Sequence, residues 1–140
     1  MILAALTAAA HRRPRYGSVS VLDAATEEVI EAVPVGMYPQ AMALSRKGNR
    51  LYVVNEYGNS VSVVNTMTGK VMKTIAVGFS PLAIAVNHKE HRLYVMNRSS
   101  VTIIDTLSDD VLKTVVLSNR PRNIVVDAAN KKWLFAEKCG

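Results

Sequence analysis

The chain repeats itself, and a repeat limits what it can fold into. Displaced by 42 residues, Ser18-Val19-Ser20-Val21 falls on Ser60-Val61-Ser62-Val63, and Arg50-Leu51-Tyr52-Val53 falls on Arg92-Leu93-Tyr94-Val95. Val35-Gly36, Pro39, Ala41, Ala43 and Asn55 match Val77-Gly78, Pro81, Ala83, Ala85 and Asn97. Residues 17–55 and 59–97 share 17 identities over 39 positions without a gap. A third, more divergent copy follows at a spacing of 40, with Ser118 replacing the glycine and Glu137 the asparagine. Copies of this length bury their apolar faces against one another, so the fold is expected to be an array of like units. The repeat domain spans 17–138, in units 17–58, 59–99 and 100–138.

Each unit reads as four short strands. In the second unit these are Ser60 to Asn65, Val71 to Val77, Leu82 to Asn87 and Arg92 to Asn97. Asp23, Asn65 and Asp105 stand at the start of the first turn, where an Asx side chain bonds the backbone ahead of it. No unit has room for a helix of ten or more residues, which argues for an all-β fold. The Leu-Tyr-Val-Val and Leu-Tyr-Val-Met strands are apolar on both faces, so both faces must be covered. The Ala-x-Ala strand suits the crowded inner position of radial sheets. Four-stranded antiparallel units of this length around an axis are β-propeller blades. A β-solenoid is the alternative.

The run Leu51 to Val71, Leu-Tyr-Val-Val-Asn-Glu-Tyr-Gly-Asn-Ser-Val-Ser-Val-Val-Asn-Thr-Met-Thr-Gly-Lys-Val, resembles the repeat of the YVTN family of β-propellers. Leu93 to Val111 carries the resemblance again with a shorter turn. The resemblance implies a prokaryotic surface or secreted protein and extends to lactonase-like propeller enzymes. The shared motif residues are structural, and no catalytic residue is carried over.

In propeller phase the chain supplies two outer strands (17–36), two full blades (39–78 and 81–118) and two inner strands (121–138), three blades in all. Three blades do not close a ring, since propellers typically have four to eight. The favoured reading is a piece of a longer propeller. The alternative is a head-to-tail homodimer, in which 121–138 of one chain completes 17–36 of another to give a six-bladed ring.

Residues 1–16 are expected to be a leader, disordered or the remnant of a signal peptide, with a frayed start or another repeat's remnant as the favoured origin. Met1 to Ala10 is apolar, but a basic region does not precede it. Arg12, Arg13 and Arg15 supply half of the net charge of +6. No apolar run approaches the ~20 residues of a membrane-spanning helix, and the lone Cys139 cannot form an internal disulfide.

The sequence marks no catalytic set, metal site or cofactor. Nucleophile elbows, phosphate loops and dinucleotide fingerprints are absent. His88 and His91 share a turn with Lys89 and Arg92, which oppose a cation. Asp105, Asp109 and Asp110 read as a solvated turn, with weak calcium binding as the alternative. The best functional candidate is the face where proline loops meet the turns after the Leu-Tyr-Val strands. It would display Tyr38, Tyr57, Phe79, Arg98, Arg120 and Arg122. Aromatics interleaved with arginines stack bases or hold anionic groups. The favoured reading of Tyr38 and Phe79 themselves is that they anchor their loops between blades.

The favoured function is a non-enzymatic binding or scaffold module with an unidentified protein or small-molecule ligand. The alternatives are a lactonase-like hydrolase or lyase, with Arg98 and Asn123 as its hints, and single-stranded nucleic-acid binding through the basic and aromatic face.

Overall fold

A computed structural model of the chain describes residues 2–8, 16–118, 120–127 and 132–137. Every element among them is a β-strand. The first sheet holds β1 (Ile2–Ala8), β2 (Tyr16–Asp23) and β3 (Val29–Met37), in that order. The second runs β4 (Pro39–Leu44), β5 (Arg50–Asn55), β6 (Ser60–Asn65) and β7 (Lys70–Ala76). The third repeats it with β8 (Ala83–Asn87), β9 (Arg92–Met96), β10 (Ser100–Asp105) and β11 (Asp110–Val116). The last pairs β12 (Pro121–Asp127) with β13 (Lys132–Glu137). All pairings are antiparallel.

These sheets are propeller blades, forming an incomplete ring of about three. The small-residue strands lie innermost, as their side-chain volume demands: β4 packs beside β8, and β8 beside β12. The outer strands β7 and β11 are mostly exposed. Between them, β5 is buried along nearly its whole length, so its apolar residues on both faces are covered by neighbouring sheets. Three inter-blade cores result among the described residues. One joins Val19 and Val33 to Leu51, Val53 and Val64. The second joins Tyr52, Val54, Val61 and Val63 to Leu93, Val95 and Ile104. The third, smaller, joins Met96 and Val101 to Ile124. Sheet packing of this kind buries alternate residues of each strand toward opposite neighbours.

The repeat extends to fine geometry. A bulge falls at Val21/Leu22, at Val63/Val64 and at Ile103/Ile104, the same place in each copy. All three Asx turns form as expected. The Oδ1 atoms of Asp23, Asn65 and Asp105 each accept a 2.8 Å bond from the amide two residues on. The next turn position but three is left-handed in every copy: Glu27 at φ 62°, Gly69 at 69° and Asp109 at 61°.

The amino-terminal segment, read from the sequence as a leader with a frayed start or another repeat's remnant as its favoured origin, adds a strand to the first sheet. Ile2–Ala8 pairs with β2 over its full length as β1. The physical reason lies in its composition. It is an apolar strand set beside Ser-Val-Ser-Val, just as Leu-Tyr-Val-Val stands beside Ser-Val-Ser-Val in the second blade. Its register gives Leu6 opposite Val19 where the second blade has Val54 opposite Val61. The edge of β2 that head-to-tail closure would offer to 121–138 of another chain is therefore occupied. Arg12, Arg13, Arg15 and Cys139 lie outside the described residues.

Candidate functional site

The loop face is built from three segments tied together by polar bonds. The Pro39 loop and the turn after β5 are joined by Glu56 N donating to Tyr38 O at 2.8 Å and Tyr57 N donating to Met37 O at 3.2 Å. This brings the rings of Tyr38 and Tyr57 together, with centroids 4.6 Å apart and planes tilted by 31°. Offset, tilted pairs of this kind suit the ring quadrupoles. Glu56 then crosses between blades. Its Oε1 accepts from Gln40 Nε2 at 2.6 Å, and its Oε2 accepts from Ser80 Oγ at 3.2 Å. Asn59 Oδ1 accepts from the Ser80 amide at 2.9 Å. In the following blade Arg98 N donates to Phe79 O at 3.0 Å, the same loop-to-turn link.

Tyr38 is 37% exposed, Tyr57 62% and Phe79 67%, so the two loop aromatics are displayed at the surface and are not buried anchors between blades. Arg98 and Arg120 are exposed as well. The side chain of Arg122 lies outside the described residues. Asn123 is exposed, and its Oδ1 accepts from the Ile124 amide at 2.9 Å. The chemistry available on this face is stacking, cation–π contact and anion pairing.

A second polar cluster was not legible in the sequence. Asp109, expected in a solvated turn, is 8% exposed and wedged against the preceding blade. Arg50 Nη1 donates to its Oδ2 at 2.7 Å, and Tyr52 Oη donates to its Oδ1 at 2.9 Å. Lys73 Nζ donates to the Asp109 carbonyl at 3.0 Å and lies 3.4 Å from Asp110. Loss of solvation, reinforced by the Asp109 carboxylate, pushes the Tyr52 hydroxyl up to about 12. Burial also raises Tyr94, the same position one blade on. The cluster ties two blades together, with Tyr52 and Asp109 buried between them. The only signal for it in the sequence is that the third turn carries aspartate where the second carries glycine.

The histidine turn leaves His88 exposed, and His91 adopts φ 56° at its end. Among the described residues, no three His, Cys, Asp or Glu side chains gather as a metal site.

No protein-family model matches the sequence, and a search of curated proteins finds no match. Solved structures do match. Hydrazine synthase of Kuenenia stuttgartiensis is 29% identical, with a TM-score of 0.80 over 84% of this chain and 35% of that one. The dihydro-heme d1 dehydrogenase NirN, solved in complex with DHE, is 16% identical, with a TM-score of 0.74 over 86% of this chain and 28% of that one. The WD40 repeats of RRP9 are 11% identical, with a TM-score of 0.71 over 86% of this chain and 46% of that one. The chain thus spans less than half the length of each. Enzymes and a WD40 repeat domain share the fold.

Proposed function

We propose that the chain is a segment of a non-enzymatic binding propeller of the YVTN type, engaging its ligand through the loop face. The observation that carries this reading is the exposed, stacked Tyr38–Tyr57 pair beside the exposed Phe79 and Arg98. Large aromatic surface left in water costs free energy unless a partner covers it. The arginines select an anionic partner, either an acidic protein segment or a nucleic-acid strand. The YVTN assignment is supported by the in-register Leu51 to Val71 motif, and placement outside a prokaryotic cell is supported by that resemblance alone.

The test uses two probes on the full chain: a glutamate-rich peptide bearing one tryptophan, and oligothymidylate. At low salt one of them should bind, and Tyr57→Ala or Arg98→Ala should each weaken it by about fivefold. Oligothymidylate binding that falls steeply with salt would favour the nucleic-acid alternative. Absence of binding to both, or binding indifferent to both substitutions, would overturn the loop-face reading. Turnover of a lactone panel lost in Arg98→Ala would overturn the non-enzymatic one.

A further inference from the structure

The contact between the first and second sheets and that between the second and third are built from the same repeat, and among the described residues only the former carries a cleft above its buried core. At the contact between the second and third sheets, the Tyr52 ring is fully buried. The polar end of that contact is closed by Arg50 on the Asp109 carboxylate. At the contact between the first and second sheets, every one of these parts is replaced. Ala4 stands opposite Val21 where Tyr52 stands opposite Val63. Ile2 stands opposite Asp23 where Arg50 stands opposite Asn65. Gly69 occupies the turn position of Asp109, and Glu31 the strand position of Lys73. A cleft of about 540 Å³ opens over the buried Val19 and Val33 of that contact, its accessible described walls including Val21, Met42 and Leu44. Glu31 lines the same cleft, with its carboxylate packed where a Cβ on Gly69 would stand.

We infer that this cleft is a binding site for an arylalkyl amine. The contact between the second and third sheets states the chemistry of the occupant: an aromatic ring against valine walls, and a cation on a carboxylate at the rim. The contact between the first and second keeps the valine walls and moves the carboxylate from the turn to Glu31. A volume of this size accommodates a small aromatic ligand, and apolar walls with one convergent polar group are the usual form of such a site. The inference rests on the fold and does not depend on the loop-face reading.

Tyramine is the probe, since it joins a phenol to an ammonium as the Tyr52 and Arg50 pair does. Calorimetric titration of the full chain should give saturable binding. Neutral para-ethylphenol should bind about fourfold more weakly, and Glu31→Gln should weaken tyramine by the same factor while leaving para-ethylphenol unchanged. Val21→Trp, which fills the cleft, should abolish both; circular dichroism checks its fold, and Glu31→Gln decides alone if that variant does not fold. No saturable binding, or equal binding of the two probes to the unaltered chain, overturns the proposal. So does a light-scattering dimer that excludes tyramine, since a second chain would then cover the cleft.

Discussion

Gly36 and Asn55 fit against each other so closely that neither tolerates growth. A Cβ on Gly36 would lie 2.6 Å from both Cγ and Nδ2 of Asn55. Asn55 is fully buried, and its Nδ2 is committed to Ser60 Oγ at 3.2 Å and Ser62 Oγ at 2.9 Å. It cannot swing aside without abandoning those bonds. Gly78 and Asn97 repeat the arrangement, with Asn97 bonded to Ser100 and Thr102. Where the glycine becomes Ser118, the asparagine becomes Glu137 as well. Gly36→Ala and Gly78→Ala should therefore each destabilise the fold by about 1–3 kcal/mol through overpacking. Denaturant midpoints at unchanged slope would measure it, and a change below half of the lower figure would show that the asparagine yields.

The left-handed turn position gives a paired test in which one substitution has opposite signs. Glu27 and Asp109 hold φ of 62° and 61°, where the intervening copy has glycine. That conformation costs a side-chain-bearing residue about 1 kcal/mol. Glu27 is exposed, so Glu27→Gly should stabilise the chain by about 0.5–1 kcal/mol. Asp109→Gly gains the same relief but strands Arg50 and Tyr52, and should cost about 2–3 kcal/mol net. The figure is kept below that of a fully buried pair because the Arg50 side chain is 28% exposed. Thermal or urea unfolding of the two variants side by side checks the reversal.

Alkaline pH should loosen the contact between the second and third sheets. Tyr52 ionises near its ordinary value of 10.0 when the chain is unfolded, but at about 12 when it is folded. Between those values the unfolded chain has released a proton that the folded chain still holds, so stability falls as pH rises. It is fully present below pH 10 and is lost progressively toward pH 12, by up to about 3 kcal/mol for two units of displacement. The raised Tyr94 adds in the same direction. Tyr52→Phe should be less stable at neutral pH by about 1 kcal/mol, having lost its bond to Asp109, yet should lose less on alkalinisation. Unfolding curves from pH 8 to 11, with tyrosinate absorbance alongside, follow both.

The strands were legible because their apolar residues alternate or run continuously with a strict period. Ser60–Asn65 is bounded by the structure as the sequence bounds it, and the Ala-x-Ala strands β4 and β8 pack beside each other at the inner position. The repeat phase assigns Tyr38 and Tyr57 to one loop face, but their ring contact comes from the bonds that join the two loops. What stayed hidden depends on contacts between copies that differ. The partners Arg50 and Asp109 are far apart in sequence and come from a strand of one blade and a turn of the next, so no local pattern joins them. Ile2–Ala8 was hidden because it keeps the apolar character of its counterpart strand but none of its residues in register with the 42-residue period.

Asn59 is the remaining residue on which loop and blade depend together. It holds φ 50°, its Oδ1 caps the Ser80 amide at 2.9 Å, and its carbonyl accepts from Val77 N at 3.0 Å. The backbone bond survives substitution, whereas the cap and the tolerance of positive φ belong to the side chain. Asn59→Gly removes only the cap and should cost about 1 kcal/mol. Asn59→Ala removes the cap and adds left-handed strain, and should cost about 2–3 kcal/mol. The difference isolates the strain. Amide exchange at Ser80 should accelerate in both variants, because the lost acceptor is the same. If Ser80 exchanges no faster in Asn59→Gly than in the unaltered chain, the cap does not hold the proline loop, and Glu56 on Ser80 Oγ together with the Arg98 amide on Phe79 O position it.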